Sequence, residues 1–294
     1  MNLLEYEHCQ EKKVHGAADF PYITYPCTIP LDFACVPPHW HDEMEIIFVK
    51  TGQGLISVDF HTYPVKAGSI LFVLPGQVHS ICQDGNCVMT YENIIFRTDL
   101  LRTTPSTSCN TVYLEPLLQG RMTIPTHFQP ENPHYDEIAA CLNSADSISA
   151  RRPKAAPFAI LSRLYQLCFL LFSCCCTDSP RRKGSASQEL MKRFIQHIEQ
   201  HYMDKITVRQ AAAVLNVSPS YFMKLIRKNL GTTFTAFLNE YRLTMAARLL
   251  TVSDESRVVD IAVSTGFDNL SYFNRKFKQR FSMTPKEYRA KSRG

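Results

Sequence analysis

From Phe20 to about Arg97 the apolar residues come in short runs, EIIFVK, LISVDF, SILFVL and VMTYENIIF, rich in Ile, Val and Phe. Runs of this length and composition predict β-strands. Turn residues separate them at Gly52-Gln53-Gly54, Ala67-Gly68 and Pro75-Gly76. Many short strands so closely spaced predict a small barrel or jelly roll. Thr98 to Pro130 is rich in Pro and Thr and irregular; helical spacing then takes over at about 133–149 and 157–176. In the second of these, Phe158, Leu161, Leu164, Cys168 and Leu171 recur at steps of three and four, predicting a buried stripe. The stretch PFAILSRLYQLCFLLFSCCC is about as long as a membrane span. Arg163 and Gln166 fall in its middle, where a charge is costly. It predicts a helix packed on its own domain or on a second subunit, with no membrane as a partner.

TDSPRRKGSASQ, residues 177–188, is polar with Pro, Gly and Ser and reads as a linker. After it every periodic segment is helical: about 189–202, 208–215, 219–229, 233–251, 258–265, 270–281 and 285–289. The expected class is therefore α+β with two domains. A β-barrel domain with its flanking segment covers 1–130, a helical dimerisation region 131–176, the linker 177–188, and an all-α domain 189–294.

Charge sharpens this division. Residues 1–183 hold 14 Lys and Arg against 18 Asp and Glu, a net of −4, whereas residues 184–294 hold 18 against 9, a net of +9. A basic block beside an acidic one suggests a nucleic-acid-binding domain joined to one with other work. The N-terminal MNLLEYEHCQEKK has no apolar core and carries acids early, unlike a signal peptide. Eleven cysteines in that context predict free thiols in a reducing cytoplasm instead of disulfides. The triplet Cys174-Cys175-Cys176 lacks metal-ligand spacing.

The basic half contains one pattern twice. In TVRQAAAVLNVSPSYFMKLIRKNLG, the small residues Ala211, Ala212 and Ala213 allow close helix approach, and Asn216-Val217 makes a turn. Ser218 can then cap a second helix with Pro219 at its first position. That helix places Phe222, Leu225 and Ile226 on one face, and Ser220, Met223, Lys224 and Arg227 on the other. About fifty residues on, VVDIAVSTGFDNLSYFNRKFKQRFSMTPKEYR repeats the plan, with Phe273 and Phe277 inward and Ser271, Asn274, Arg275 and Lys278 outward. Ser220-Tyr221-Phe222 aligns on Ser271-Tyr272-Phe273, and Lys224 on Arg275. Two helix-turn-helix units in register, with matched polar and basic faces, are a strong signal.

Residues 189–290 resemble the DNA-binding domain of the AraC/XylS family of bacterial transcription regulators, and GFDNLSYFNRKFKQRFSMTPKEYR is its most specific stretch. The resemblance implies seven helices, a long one (here 233–250) holding the two units apart so that both recognition helices enter successive major-groove turns. By position it implies that Ser220, Met223, Lys224, Ser271, Asn274 and Arg275 read bases. Arg275 and Lys224 suit guanine, Asn274 adenine, and Met223 a thymine methyl. Arg227 and Lys278 are better placed for phosphates. Promoter DNA, RNA polymerase and a second copy of the chain are the implied partners.

PPHWHDEMEII sets His39 and His41 two apart, on one face of a strand, with Glu45 an even number further on. With GSILFVLPGQVHS and its His79, this resembles the paired motifs of a cupin barrel. Two departures stand out: Leu74 where a proline is usual, and Gln83 where an Asn is. Three His and one carboxylate suit zinc, iron, manganese or nickel. A stand-alone cupin with this set would be a metal enzyme. Joined to a DNA-binding domain, the set is expected to line a pocket for a small effector such as a sugar. No cofactor is required and catalysis is not expected; a bound divalent metal, or a structural role, stays open. The alternative is a metal-dependent cupin enzyme with a helical appendage. Trp40, Phe48, Phe60, Tyr63 and Phe72 suit either an aromatic pocket wall or barrel core.

Overall fold

The computed structural model describes residues 19–31, 35–102, 107–178, 186–252 and 256–291. The N-terminal strands are β1 (Tyr22–Ile29), β2 (Cys35–His39), β3 (Met44–Val58), β4 (His61–Lys66), β5 (Ile70–Val73), β6 (His79–Gln83) and β7 (Met89–Phe96). Short strands follow at β8 (Met122–Thr123), β9 (His127–Phe128) and β10 (Thr177–Asp178). All pairings among them are antiparallel, in the order β1-β7-β3-β5-β9, with β4 and β6 also on β3 and β2 on β6.

The barrel turns on β3. Its first half pairs with β5 and β7 and its second half with β4 and β6, so one strand of 15 residues belongs to both walls. The expected turn at Gly52-Gln53-Gly54 is instead continuous strand. The register on β7 shifts between Val49 and Thr51, and Gly52 has φ +75. A Cβ on Gly52 would lie 1.8 Å from the Val88 carbonyl oxygen, so glycine serves here for close backbone approach.

Alternation along β3 separates two cores. Ile47, Val49, Ile56 and Val58 pack inside the barrel with Val36, Leu71, Val73, Ile81 and Tyr91. Met44, Ile46 and Phe48 face outward, toward helices α2 (Tyr135–Arg151) and α3 (Ala156–Leu170). Helix α1 (Glu115–Leu118) joins the same layer through Leu117. The stripe on α3 differs from expectation. Leu164 and Leu171 are buried, but their companions are Ile160, Leu167 and Leu170, while Phe158 is 80% exposed and Phe169 67%. This helix is apolar on nearly every side, so several ladders of three and four fit it. Contact with Ile138, Leu142 and Ala145 of α2 selects the buried one. Among the described residues, Ala156–Cys175 is the one helix long and apolar enough to cross a membrane.

Glu92 of β7 lies 3.2 Å from Lys50 Nζ and hydrogen-bonds Asp146 of α2. Burial, with Asp146 adding to it, pushes its carboxyl up to about 7. The native state therefore binds this proton more tightly than the unfolded chain, and stability falls as pH rises from about 4.5 to 7. Glu92→Gln removes that slope. Its melting temperature relative to wild type should rise between pH 5 and pH 8; a constant difference would place the proton elsewhere.

Seven helices follow residue 185 among the described residues: α4 (Ala186–His201), α5 (Val208–Val214), α6 (Pro219–Leu230), α7 (Phe234–Val252), α8 (Val258–Ser264), α9 (Leu270–Phe281) and α10 (Pro285–Lys291). The segment read as a linker falls largely on 179–185, outside the described residues. Helix α7 contributes Phe237, Leu238 and Tyr241 to the core of the first unit, and Leu243, Ala246, Ala247 and Leu250 to that of the second.

Candidate functional site

In the first helix-turn-helix unit, Thr207 and Gln210 form a capping box on α5, and Ser218 Oγ accepts from the Tyr221 N–H on α6. Asn269 Oδ1 does the same for Tyr272 on α9. The turns are alike: Asn216 and Gly266 both have positive φ, 56 and 86. The following amides, Val217 and Phe267, both return to the carbonyl of a buried alanine, Ala212 and Ala262. A Cβ on Gly266 would meet the Tyr202 carbonyl oxygen at 2.7 Å. That same oxygen accepts from Arg242 Nε at 2.6 Å, so α7, the α4 end and the second turn converge there.

Burial of Phe222, Leu225 and Ile226 on α6, and of Phe273, Phe277 and Phe281 on α9, leaves the opposite faces to solvent. Ser220, Met223, Lys224 and Arg227 are exposed on the first; Ser271, Asn274, Arg275 and Lys278 on the second. Arg275 stands 5.5 Å over the Tyr272 ring, a contact that stiffens its long side chain. The Glu240–Arg280 ion pair fixes α9 to α7.

The barrel brings the four motif residues together. His39 pairs with His79 across β2 and β6, and the register shifts between Val36 and His39, at Pro37-Pro38. Without that bulge, inward-facing Val36 would be followed by Pro38 on the same side; the extra residue turns His39 inward. One ligand atom from each of His39, His41, Glu45 and His79 lies within 4.8 Å of the others, and all four residues are buried. Glu45 Oε2 is 2.9 Å from Nε2 of both His41 and His79.

The outer nitrogens are held too. Nδ1 of His39, His41 and His79 lie 3.0, 3.2 and 3.1 Å from the carbonyl oxygens of Pro37, Glu43 and Gln77. A nitrogen facing a carbonyl must donate, which directs each Nε2 into the cluster. Burial foremost, and then the neighbouring His79, push the His39 imidazole well below its ordinary range. For Glu45 burial works upward, but the charge on His79 and hydrogen bonds from His41 and His79 outweigh it and hold the carboxyl well below the usual carboxylate range. Neutral His39 and ionised Glu45 are the states a cation requires, and a cation would replace the Nε2 protons that His41 and His79 share with Glu45. The set of three imidazoles and one carboxylate thus fits a divalent metal of the zinc, iron, manganese or nickel kind.

Two expectations change here. The five aromatics do not form one wall: Phe48 and Phe72 pack toward α2 and α3, and Tyr63 against the barrel interior. Trp40 and Phe60 pack instead into the core of the first helix-turn-helix unit, beside Val78, Met191, Phe194 and Ile195. The cysteines are not all free, since Cys35 on β2 and Cys82 on β6 are bonded to each other. They stand opposite in the antiparallel ladder, with Cα atoms 4.3 Å apart, although 47 residues separate them in the chain. Only strand register reveals that proximity. Between the barrel and the helical domain lies a cavity of about 360 Å³, lined by Cys35, Phe60 and Cys82 on one side and Lys228, Phe237 and Tyr241 on the other.

A barrel with an inward polar cluster, docked on a domain with two exposed recognition helices, defines a DNA-binding transcription regulator with a ligand-binding domain. The comparisons agree: residues 30–167 match the AraC-like ligand binding domain, and residues 211–291 a helix-turn-helix domain. The chain belongs to the AraC family of transcriptional regulators. It is 23% identical over 289 residues to the HTH-type transcriptional regulator YdeC of Bacillus subtilis (strain 168), covering 96% of each chain. It is 24% identical over 280 residues to the HTH-type transcriptional activator RhaS of Enterobacter sp. (strain 638), covering 94% of this chain and 96% of that one. Among solved structures, ToxT from Vibrio cholerae is 14% identical with a TM-score of 0.44, over 92% of this chain and 97% of that one. Relatives named as regulators identify a regulator, not an enzyme.

Proposed function

We propose that this protein is a cytoplasmic homodimer that binds promoter DNA through α6 and α9, contacts RNA polymerase there, and adjusts that binding to a small-molecule effector sensed at His39, His41, Glu45 and His79. Ser220, Met223 and Lys224 on α6, and Ser271, Asn274 and Arg275 on α9, read bases; Arg227 and Lys278 hold phosphates. The outward face of α3 joins the two copies.

The observation that carries the sensing role is the position of Trp40. It lies between His39 and His41 in the chain, yet its side chain is buried in the core of the first helix-turn-helix unit. Val78, next to His79, packs into the same core. Whatever draws the histidines together must also move the residues on which the DNA-reading domain rests. An effector acts by its differential affinity for two such arrangements. A divalent metal, where bound, would be held by the four cluster residues and would supply fixed positive charge to bind and orient a polar effector.

The test is a reporter driven by the protein's own operator, read across a panel of small-molecule inducers. His41→Ala should abolish induction while basal operator affinity stays within about 1 kcal/mol, because the reading helices lie in another domain. Trp40→Ala should keep effector binding yet lose the response. Full induction in both His41→Ala and His79→Ala would reduce the cluster to scaffold.

A further inference from the structure

We propose that Cys35 and Cys82 form a thiol–disulfide switch in the seam between the barrel and the DNA-reading domain, so that operator affinity also follows the redox state of small thiols. Three observations converge on this pair. Among the described residues β2 pairs with β6 alone, through three rungs: Cys35 on Cys82, Val36 on Ile81, and His39 on His79. The covalent bond is thus one of few ties on an edge strand. That strand leads directly into Trp40, and β6 begins directly after Val78, the two barrel residues buried in the first helix-turn-helix core.

The pair is also reachable. Both cysteines line the interdomain cavity, whose far wall includes Lys228 to Gly231 at the end of recognition helix α6. Cys82 is only partly buried. Three other thiols are poorer reactants: burial pushes Cys168 up to about 12 and raises Cys141 and Cys175. In a reducing compartment, a disulfide is usually transient, catalytic or redox-sensing.

The chemistry balances with a glutathione-type monothiol as reductant. Its thiolate attacks Sγ of Cys82, the Cys35–Cys82 bond breaks, and Cys35 leaves as a thiolate that takes a proton from water. A second monothiol attacks the mixed disulfide and releases Cys82. Two electrons pass to the protein, which gains two thiols, and one small-molecule disulfide forms. That disulfide reverses the sequence. The faces of α6 and α9 proposed to read bases stay exposed in the docked arrangement, so the oxidised form is taken as the one that binds operator. Reduction frees the β2 edge under Trp40, loosens that docking and lowers operator affinity.

Trp40 is the single tryptophan of the chain, so its fluorescence reports on this seam alone. The full-length protein is equilibrated in buffers of graded glutathione and glutathione disulfide, then read by Trp40 emission, operator binding and alkylation mapping. Emission and affinity should change together, with the reduced form binding operator at least fivefold more weakly. The doubly substituted Cys35→Ser, Cys82→Ser protein should hold one affinity throughout. If the double variant does not fold, alkylation mapping of wild type decides: Cys35 and Cys82 must be protected in glutathione disulfide and labelled in glutathione. Free labelling of both after oxidation overturns the proposal. So does equal operator affinity in both redox states, or a response that survives in the double variant. Because the oxidised protein must bind operator for any comparison, loss of DNA binding in every state would count against the regulator reading instead.

Discussion

Arg275→Ala should bind operator about 5- to 150-fold more weakly, a loss of about 1–3 kcal/mol, and should relax the preference at one base position. The side chain is exposed on α9, on the face opposite Phe273 and Phe277, and is steadied over the Tyr272 ring. A guanidinium so placed can donate twice to guanine, and alanine leaves that edge unpaired. Lys278→Ala, one turn further along the same face, should behave differently. As a phosphate contact it carries no sequence information, so cognate and scrambled DNA should weaken alike, with the salt slope falling by about one. Competition binding at two salt concentrations separates the two outcomes. Wild-type affinity of Arg275→Ala for both DNAs would mean that another residue of α9 faces the bases.

Phe158→Glu combined with Phe169→Glu should give soluble monomers whose operator affinity drops by about two orders of magnitude or more, because the second half-site is no longer tethered. Both phenylalanines are exposed on α3, and Tyr165 lies between them at 39% exposure. Positions 158, 165 and 169 repeat at steps of seven and four, the spacing at which one helix seats on a copy of itself. Such an apolar face on a helix whose other side already fills the domain core suits an interface between identical subunits. Leu164 and Leu171, by contrast, are buried in the subunit's own core, and charging them would unfold it. Sedimentation at micromolar concentration decides. A monomeric wild type, or a dimeric double variant, removes the α3 interface.

The two helix-turn-helix units were legible because each cue is local: the cap at Ser218, the turn at Asn216-Val217, and helical periodicity in Phe222–Ile226 and Phe273–Phe277; the matching cap at Asn269 was not read. Duplication then removed the ambiguity that one such unit carries. The histidine cluster was legible from the even spacing of His39, His41 and Glu45, although the bulge at Pro37-Pro38 that turns His39 inward was not. Long-range properties stayed hidden. Gly52 and Gly54 read as a turn because the close approach of Val88, which calls for glycine in a continuous strand, lies 36 residues downstream of Gly52. Cys35 and Cys82 meet only through strand register. Trp40 read as pocket wall or barrel core because nothing local says that a second domain covers it.

Helix α7 lends side chains to the cores of both units, and Arg242, packed at Gly266, and the Glu240–Arg280 pair lock its middle to its neighbours. A rigid spacer of this kind acts on promoters as well as on protein. One base pair inserted between the two contacted grooves rotates the second by about 34° and shifts it by about 3.4 Å, while α7 cannot lengthen or twist to follow. Operators of this regulator can therefore drift by base substitution, each change graded in cost, but insertions and deletions inside the site detach one recognition helix outright. Across a genome its binding sites should vary in letter while keeping a fixed length.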